Sequence, residues 1–410
     1  MIFSYGISLK GKSHYKNGVE CQDSHRILKM DDGRIIAAIA DGVGSAENSA
    51  IGSKIAVDTV VQFCKEYMPV DNDVISIKSM MRTAFNYAFK KIVEESESSR
   101  RPIESYDTTL SVVIYDGNRI VYGHSGDGAI IGLNEYGNYV EITRPLKGVD
   151  GFTVLPLRSG YSNWMIDSYE ENLVSILMVT DGMLATICPY LLRDMDNYSN
   201  RAYIPLASFF VDPKGIPGGK NERKKTRRAI EEFMMGSENY NQDDFYDRLH
   251  KIYKRHIGED ADRVIEELKQ DNYPIAMMES EQDDKTVVGI INTDLELEDQ
   301  EVEYYADPDW ESLKEDWNRK AYPHMYPQDE AETSEDDEAS EYTKVKKHGR
   351  GKRMLLALLK FTAVVIAIVL MISGVLYFTE QGFFEKRFKS NKGTDESRIE
   401  ITTDVMWRVK

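Results

Sequence analysis

Acidic residues at the ends of apolar runs are the part of this sequence best suited to chemistry. The chain contains six Asp-Gly pairs, and such a pair is by itself typical of a tight turn. Asp41 and Asp181 differ, because each ends an apolar run ("IIAAIADG" and "SILMVTDG") and precedes a helix-like segment. Taken singly, Asp41 would also suit a helix N-cap and Asp181 a turn. Together they indicate two buried strands that deliver carboxylates to a sheet edge.

Other acidic residues stand at similar places in the predicted strands. Asp23 precedes one strand, Asp127 lies between two, and Asp283 and Asp284 begin the last one. None of the seven histidines is spaced as a metal-binding pair, and no cysteine lies in a nucleophile-like setting. Carboxylate, carbonyl and water oxygens are the ligands that Mg²⁺ and Mn²⁺ prefer. The pattern therefore favours a site for a hard divalent cation.

The order of these motifs resembles that of the metal-dependent type 2C serine/threonine protein phosphatases, in particular their bacterial branch. The matching segments run in order between about residues 6 and 292: "NGVECQDS", "ADGVGS", "YDTTLSVVI", "GHSGDGAI", "MVTDGM" and "QDDKTVVGI". The resemblance implies hydrolysis of phosphoserine or phosphothreonine by a water activated between two cations, which requires no covalent phosphoenzyme.

The resemblance also implies a role for most of the acidic residues. Asp41 would bridge two Mg²⁺ or Mn²⁺ ions, and the Gly42 carbonyl would complete one of the two sites. Asp181 and Asp283 would complete the other site, while Asp23 would hold metal-bound water. Thr108 and Thr109 of the "YDTT" segment are expected to be structural.

Asp127, with Asp181, would take a weaker third ion by the same resemblance. Family members read Gly-Asp-Ser-Arg at this motif, whereas this chain has glycine and then Ala129 after Asp127, so the arginine is absent. A plain hairpin turn at Asp127 therefore remains an open alternative.

The cation that would bind phosphate is not at its usual place. Many family members carry an arginine about five residues before the position of Asp23, where this chain has Gly18. Lys16 and His14 are the nearest cationic candidates, so Lys16 is predicted to contact phosphate. His14 is predicted to act as a general acid for the leaving alkoxide, with a bystander histidine as the alternative.

Strands and two long helices must position these residues. Hairpin signals such as "VVIYDGNRIVY" predict largely antiparallel pairing. Helical periodicity covers about residues 50–68 and 75–97. The predicted strands are 3–9, 25–29, 34–40, 109–115, 119–123, 129–133, 139–142, 173–180 and 286–291. We expect an α+β fold plus one transmembrane helix, and the resemblance implies that the α+β part is a four-layer α/β/β/α sandwich with two mainly antiparallel sheets.

Charge and composition divide the chain further. Residues 1–293 would form the phosphatase domain, with an insertion at about 189–274, and their moderate acidity argues against nucleic-acid binding. Residues 294–342 hold 19 acidic and three basic side chains and are predicted to be an extended, disordered tether, on which Trp310 and Trp317 could dock locally. The three cysteines are expected to be reduced.

The region after residue 342 has the pattern of a membrane anchor. Residues 354–378 form an apolar run long enough to span a bilayer as one helix. The basic segment 343–353 precedes this run and would contact anionic lipid, so the positive-inside rule places the N-terminal domain in the cytoplasm and the tail 379–410 outside. The sequence thus predicts a membrane-tethered phosphatase that opposes a serine/threonine kinase. The alternatives are a catalytically weak module that binds a phosphoprotein or kinase, and a phosphatase of small molecules.

Overall fold

The computed structural model describes residues 1–193, 201–216, 218–236, 240–271 and 273–326. The chain divides into two compact units, 1–327 and 328–410, and all of the described residues belong to the first. The predicted basic segment 343–353, membrane span 354–378 and tail 379–410 lie outside them. Within the described ranges, no helix combines the length and apolar character needed to cross a bilayer.

In the part of the chain that the structure describes, ten strands form two five-stranded antiparallel sheets. One sheet has the order β1-β10-β9-β6-β7 and the other β2-β3-β4-β5-β8. The strands are β1 (Ile2–Leu9), β2 (Ser24–Lys29), β3 (Ile35–Ala40), β4 (Leu110–Tyr115), β5 (Ile120–Ser125), β6 (Ala129–Asn134), β7 (Tyr139–Glu141), β8 (Met165–Tyr169), β9 (Leu173–Val179) and β10 (Lys285–Asn292). Ile39 of β3 and Val288 of β10 belong to one buried cluster, so the two sheets pack face to face.

Helices cover the outer face of each sheet. The helices are α1 (Lys12–Asn17), α2 (Ser49–Tyr67), α3 (Val74–Ser99), α4 (Asp181–Ile187), α5 (Ile204–Val211), α6 (Lys220–Met234), α7 (Gln242–Ile257), α8 (Asp260–Asp271), α9 (Tyr273–Ser280), α10 (Val302–Tyr305) and α11 (Trp310–Ala321). α2 and α3 share a core with the second sheet, whereas α4 to α8 share one with the first. The predicted α+β fold with two mainly antiparallel sheets is confirmed.

The acidic segment after β10 differs from its prediction as an extended tether. α10 and α11 both lie in it, and a short 3-10 turn follows at Pro323–Met325. The Trp310 ring stacks on Tyr273 with centroids 4.4 Å apart, and Trp317 contacts Tyr190 edge-on at 5.5 Å. Two aromatic anchors therefore order part of a stretch whose net charge and few aliphatic residues predict disorder. The rest of the predicted tether, from residue 327, lies outside the described residues.

Helix α2 packs so closely against the segment before β4 that one position of the helix has no room for a side chain. A Cβ atom added at Gly52 would lie 2.1 Å from the backbone oxygen of Tyr106. Gly-to-Ala changes inside helices normally stabilise a protein by up to ~1 kcal/mol. At Gly52 the backbone must shift instead, so the sign of the effect is reversed.

We therefore expect Gly52→Ala to lower the free energy of unfolding by about 1–3 kcal/mol. Urea unfolding of the full-length protein, followed by circular dichroism, measures the change. Gly44→Ala is the control, because an added Cβ there meets no atom within 4 Å. A Gly52→Ala protein as stable as wild type would show that the helix moves away at no cost.

Candidate metal centre

Strand pairing brings the predicted acidic residues to one end of the sandwich. Asp23 and Asp41 flank a paired position of the second sheet, since Ser24 of β2 lies opposite Ala40 of β3. In the first sheet, Val179 at the end of β9 pairs with Val287 of β10 and with Ala129 of β6. The residues just beyond these strand ends, Asp181, Asp127 and Asp283, are therefore neighbours. We call this end of the sandwich, with Asp23, Asp41, Asp127, Asp181 and Asp283, the acidic edge.

Asp41 is fixed by its backbone rather than by a helix. Its amide nitrogen donates to Thr109 Oγ1 at 2.9 Å, and its carbonyl oxygen accepts from Thr109 N and Thr108 Oγ1, both at 2.8 Å. Helix α2 begins only at Ser49, which rules out the N-cap alternative for Asp41. Burial and the neighbouring acidic charges raise the pKa of Asp41 well above its usual range. The two threonines therefore hold a carboxylate where like charges repel it.

Gly42 follows Asp41 at a crowded point of the backbone. Its amide nitrogen donates to the Gln22 carbonyl at 3.1 Å, next to Asp23. A Cβ atom at Gly42 would lie 2.7 Å from the Ser49 Cβ, so only glycine fits without rearrangement. Asp41 and Asp23 are thus tied together through their neighbours.

Asp23 is a buried carboxylate with an unsatisfied oxygen. Its Oδ2 accepts from Thr180 Oγ1 at 2.8 Å, whereas Oδ1 is buried without a hydrogen-bond partner. Burial raises the pKa of Asp23 to about 7, and the charge of Asp284 adds to that effect, although hydrogen bonds from Thr286 and Thr180 oppose it. A buried oxygen without a donor is uncommon, and a cation or a water would satisfy it.

Asp181 and Asp127 repeat this pattern on the first sheet. Asp181 begins α4, so it is a helical residue rather than only a turn, and its Oδ1 is also buried without a partner. Asp127 is 6% exposed, and its pKa is raised to about 6 by burial and by the charge of Asp181, against the effect of Lys147. Lys147 Nζ lies 3.5 Å from Asp127 Oδ2. β5 and β6 belong to different sheets, so Asp127 lies in a connection between the two sheets and the hairpin-turn alternative is wrong. Asp127 also interacts electrostatically with the acidic edge.

Asp283 and Asp284, the last two acidic residues, differ in exposure and in their contacts. Asp283 is exposed, and its pKa is raised by partial burial and then by the charge of Asp181, which places it beside the same edge. Asp284 is buried and accepts from Gly11 N at 2.6 Å through Oδ1 and from Gln22 N at 2.5 Å through Oδ2. Sequence analysis gave Asp284 no role. Two consecutive residues at a strand start face opposite ways, which is the signal that could have separated their roles.

The two predicted cationic residues lie on the short helix α1. His14 Nδ1 lies 2.9 Å from Asp284 Oδ1, so the imidazole is held beside the acidic edge through that carboxylate. Lys16 is exposed on the same helix. Lys147, which sequence analysis did not single out, makes direct contact with one of the acidic residues.

The donor set suits hard divalent cations in type, charge and unsatisfied oxygens. Asp23, Asp41, Asp127 and Asp283 all have raised pKa values, and buried oxygens of Asp23 and Asp181 lack donors. Nevertheless, within the ranges that the structure describes, no three His, Cys, Asp or Glu side chains already have the geometry of a metal site. The predicted ligand roles therefore remain predictions that the donor chemistry favours.

Most of these acidic residues lie in a segment that matches a known protein family. The family model "Protein phosphatase 2C" matches residues 10–213, a range that includes Asp23, Asp41, Asp127 and Asp181 but ends before Asp283. Residues 10–213 therefore match a phosphatase domain of the protein phosphatase 2C family. A comparison with curated proteins gave no match.

Solved structures of bacterial phosphatases are similar at low identity. A serine/threonine phosphatase of S. agalactiae is 14% identical, with a TM-score of 0.41 over 71% of this chain and 100% of that chain. The Mycobacterium tuberculosis phosphatase PstP/Ppp is 15% identical, with a TM-score of 0.41 over 71% and 98%. A PstP catalytic domain in complex with two manganese ions is 16% identical, with a TM-score of 0.39 over 71% and 97%. Similarities at this level carry no argument about chemistry.

The raised pKa values predict an unusual pH dependence of stability for the metal-free protein. Asp23 and Asp127 keep protons up to about pH 7 and pH 6 when folded, whereas both lose them near pH 3.8 when unfolded. The folded state therefore binds more protons between these limits, and stability falls as pH rises. We expect the free energy of unfolding in EDTA to be about 4 kcal/mol higher at pH 5 than at pH 7.5.

Urea unfolding at the two pH values measures this difference. The double variant Asp23→Asn/Asp127→Asn should lose most of it, and saturating Mn²⁺ should stabilise the wild type more at pH 7.5 than at pH 5. A double variant with the wild-type pH dependence would show that these two carboxylates are not its source.

Proposed function

We propose that the chain is a membrane-tethered, Mg²⁺- or Mn²⁺-dependent phosphatase that hydrolyses phosphoserine or phosphothreonine on proteins at the cytoplasmic face. One observation carries the proposal: within and beside the segment that matches the phosphatase family, five aspartates converge at one end of the sandwich, and two of them have unsatisfied buried oxygens. A binding module without metal would gain nothing from such mutual repulsion.

The residues have separate tasks in this proposal. Asp41, Asp181 and Asp283, with the Gly42 carbonyl, would hold two divalent cations, and Asp127 would help to hold a third. Bound cations would supply Lewis-acid activation of a water molecule and neutralise charge on the phosphoryl group.

Asp23 would orient the attacking water. Its Oδ2 is already engaged by Thr180, so the unsatisfied Oδ1 is the oxygen available to accept a hydrogen bond from that water. The Thr180 hydroxyl thereby fixes which of the two carboxylate oxygens acts.

His14 would donate a proton to the leaving alkoxide. The Asp284 carboxylate beside Nδ1 keeps a proton on that nitrogen and fixes the plane of the ring, which leaves Nε2 for the substrate. Lys16 would contact the phosphate from α1. Because no arginine stands where the family's motifs have one, binding of phosphate through Lys16 would be weaker than through a bidentate guanidinium.

Asp41→Asn should abolish metal-dependent turnover of a phosphothreonine peptide, with a loss of about 1,000-fold or more, since the bridging charge is removed while the shape is kept. Asp32→Asn is a matched control, because Asp32 is also followed by glycine but lies in an exposed turn and pairs with Arg34. Steady-state rates in Mn²⁺, with calorimetric titration of Mn²⁺, provide the measurement. Undiminished turnover in Asp41→Asn would remove the metal assignment.

A phosphatase-like module with little or no activity is the second candidate function. The absent arginine beside Asp127 favours it, as does the lack of a preformed ligand geometry in the described ranges. Such a module would bind a phosphoprotein or its kinase at the membrane. Mn²⁺ binding without turnover of either phosphopeptides or small phosphate esters would favour this second candidate, whereas turnover of esters alone would indicate a small-molecule substrate.

The membrane location rests on the sequence of residues 343–378. A chain ending at residue 342 should move from the membrane fraction to the soluble fraction of lysed cells, because it lacks both the apolar run and the basic segment before it. The full-length chain should resist extraction by alkaline carbonate but dissolve in detergent. Quantitative immunoblotting of the fractions checks both results, and a truncated chain that stays with the membrane would point to attachment through the folded unit.

A further inference from the structure

A buried histidine network lies where α7 ends beside the C-terminal segment, and none of the proposed catalytic residues belongs to it. The His256 side chain is 1% exposed, and Asp212, which follows α5, is 2% exposed. His256 Nε2 lies 2.5 Å from Asp212 Oδ2, while Nδ1 lies 2.7 Å from Asp299 Oδ1. Both nitrogens of one buried imidazole therefore face carboxylate oxygens.

Protonated His256 satisfies both of these contacts at once. Neutral imidazole has one N–H and one lone pair, whereas imidazolium donates from both nitrogens. A neutral ring would direct its lone pair at one of the two carboxylates. Among the described residues, His256 is the one group that forms an ion pair with Asp212. Loss of the proton would break this buried ion pair, although the charge of Arg248 also acts on Asp212.

Aromatic and charged side chains surround the network. The ring of Tyr305 stacks on His256 with centroids 4.9 Å apart, and its hydroxyl lies 3.1 Å from Nδ1. Burial alone would raise the pKa of Asp299, but hydrogen bonds from Lys214 and His256 lower it. The other titratable groups that face the network are Arg248, Tyr253 and Arg255 on α7, Tyr139 on β7 and Tyr304 on α10.

Asp299 and Tyr305 connect this network to the segment that follows the sandwich. The same segment is anchored at Glu298, whose amide nitrogen donates to the Glu135 carbonyl at 2.9 Å, and at Trp310, which stacks on Tyr273. Asp212 and His256 belong to the helical insertion. The histidine therefore joins two parts of the chain that are distant in sequence.

We propose that protonated His256 is a latch that keeps residues 298–325 docked on the helical insertion, and that loss of its proton releases them. The inference does not depend on the proposed phosphatase activity, because it concerns an interface away from the acidic edge. Release would add residues 298–325 to the acidic connection that the sequence predicts between the phosphatase domain and the membrane. The latch would thus let pH change how far the domain reaches from its anchor.

Hydrogen–deuterium exchange of the full-length protein in detergent micelles tests the latch. In His256→Gln at pH 6, amides of residues 298–325 should exchange about tenfold faster than in wild type, since one charge-assisted contact is lost. Exchange in β9 and β10 should be unchanged. In the wild type, hydrogen exchange of the same amides, corrected for intrinsic exchange rates, should become faster by a similar factor between pH 6 and pH 10.

His250→Gln is the matched control. His250 lies on the same helix and pairs with Asp262 at 2.7 Å, but its side chain is 36% exposed. Its loss should leave protection of residues 298–325 unchanged. Equal protection in His256→Gln and wild type, or no acceleration in the wild type up to pH 10, would overturn the proposal. If His256→Gln also loses protection in β9 and β10, Asp299→Asn decides instead, because it keeps the buried His256–Asp212 pair and should loosen residues 298–325 alone.

Discussion

The repulsion among carboxylates at one end of the sandwich is the constraint on which the rest of this structure depends. Folding brings Asp23, Asp41 and Asp181 together from three separate strand ends, where burial and mutual charge raise pKa values instead of lowering them. Such an arrangement costs stability unless something offsets it. Rigid β-strands, threonine hydroxyls and close backbone contacts offset it by preventing the acidic residues from moving apart.

The same end of the molecule is closed by contacts of long sequence range. Asp284, near the last strand, accepts two backbone hydrogen bonds from the segment between β1 and β2, and a Cβ atom at Gly182 would lie 2.0 Å from the Asp284 carbonyl oxygen. β1 also pairs with β10 along its whole length. The acidic edge is therefore complete only when the first and last strands have joined, which makes it dependent on the slowest type of contact to form.

The sequence supported prediction wherever one physical signal dominated. Helix α3 was predicted from apolar residues that recur every three or four positions. Seven of these residues are buried, and Phe89 is partly buried; the seven are Ile77, Met80, Met81, Ala84, Phe85, Ala88 and Ile92. Asp-Gly after an apolar run identified the two carboxylates that follow β3 and β9. β8 was not predicted, because its five residues lie at a sheet edge with mixed exposure and show no clean alternation. Asp284 was left without a role because its function depends on backbone donors more than 260 residues away.

The segment of residues 294–326 shows why a prediction from composition alone can be wrong. Its charge predicts disorder, yet a few aromatic rings and one histidine network order residues up to 326. The molecule thus contains buried carboxylates in two different settings. At Asp212 the chain supplies its own partner, His256, so the interaction is complete within the fold. At Asp23 and Asp181 the chain leaves buried oxygens without a partner, and the proposed metal-assisted chemistry rests on that difference.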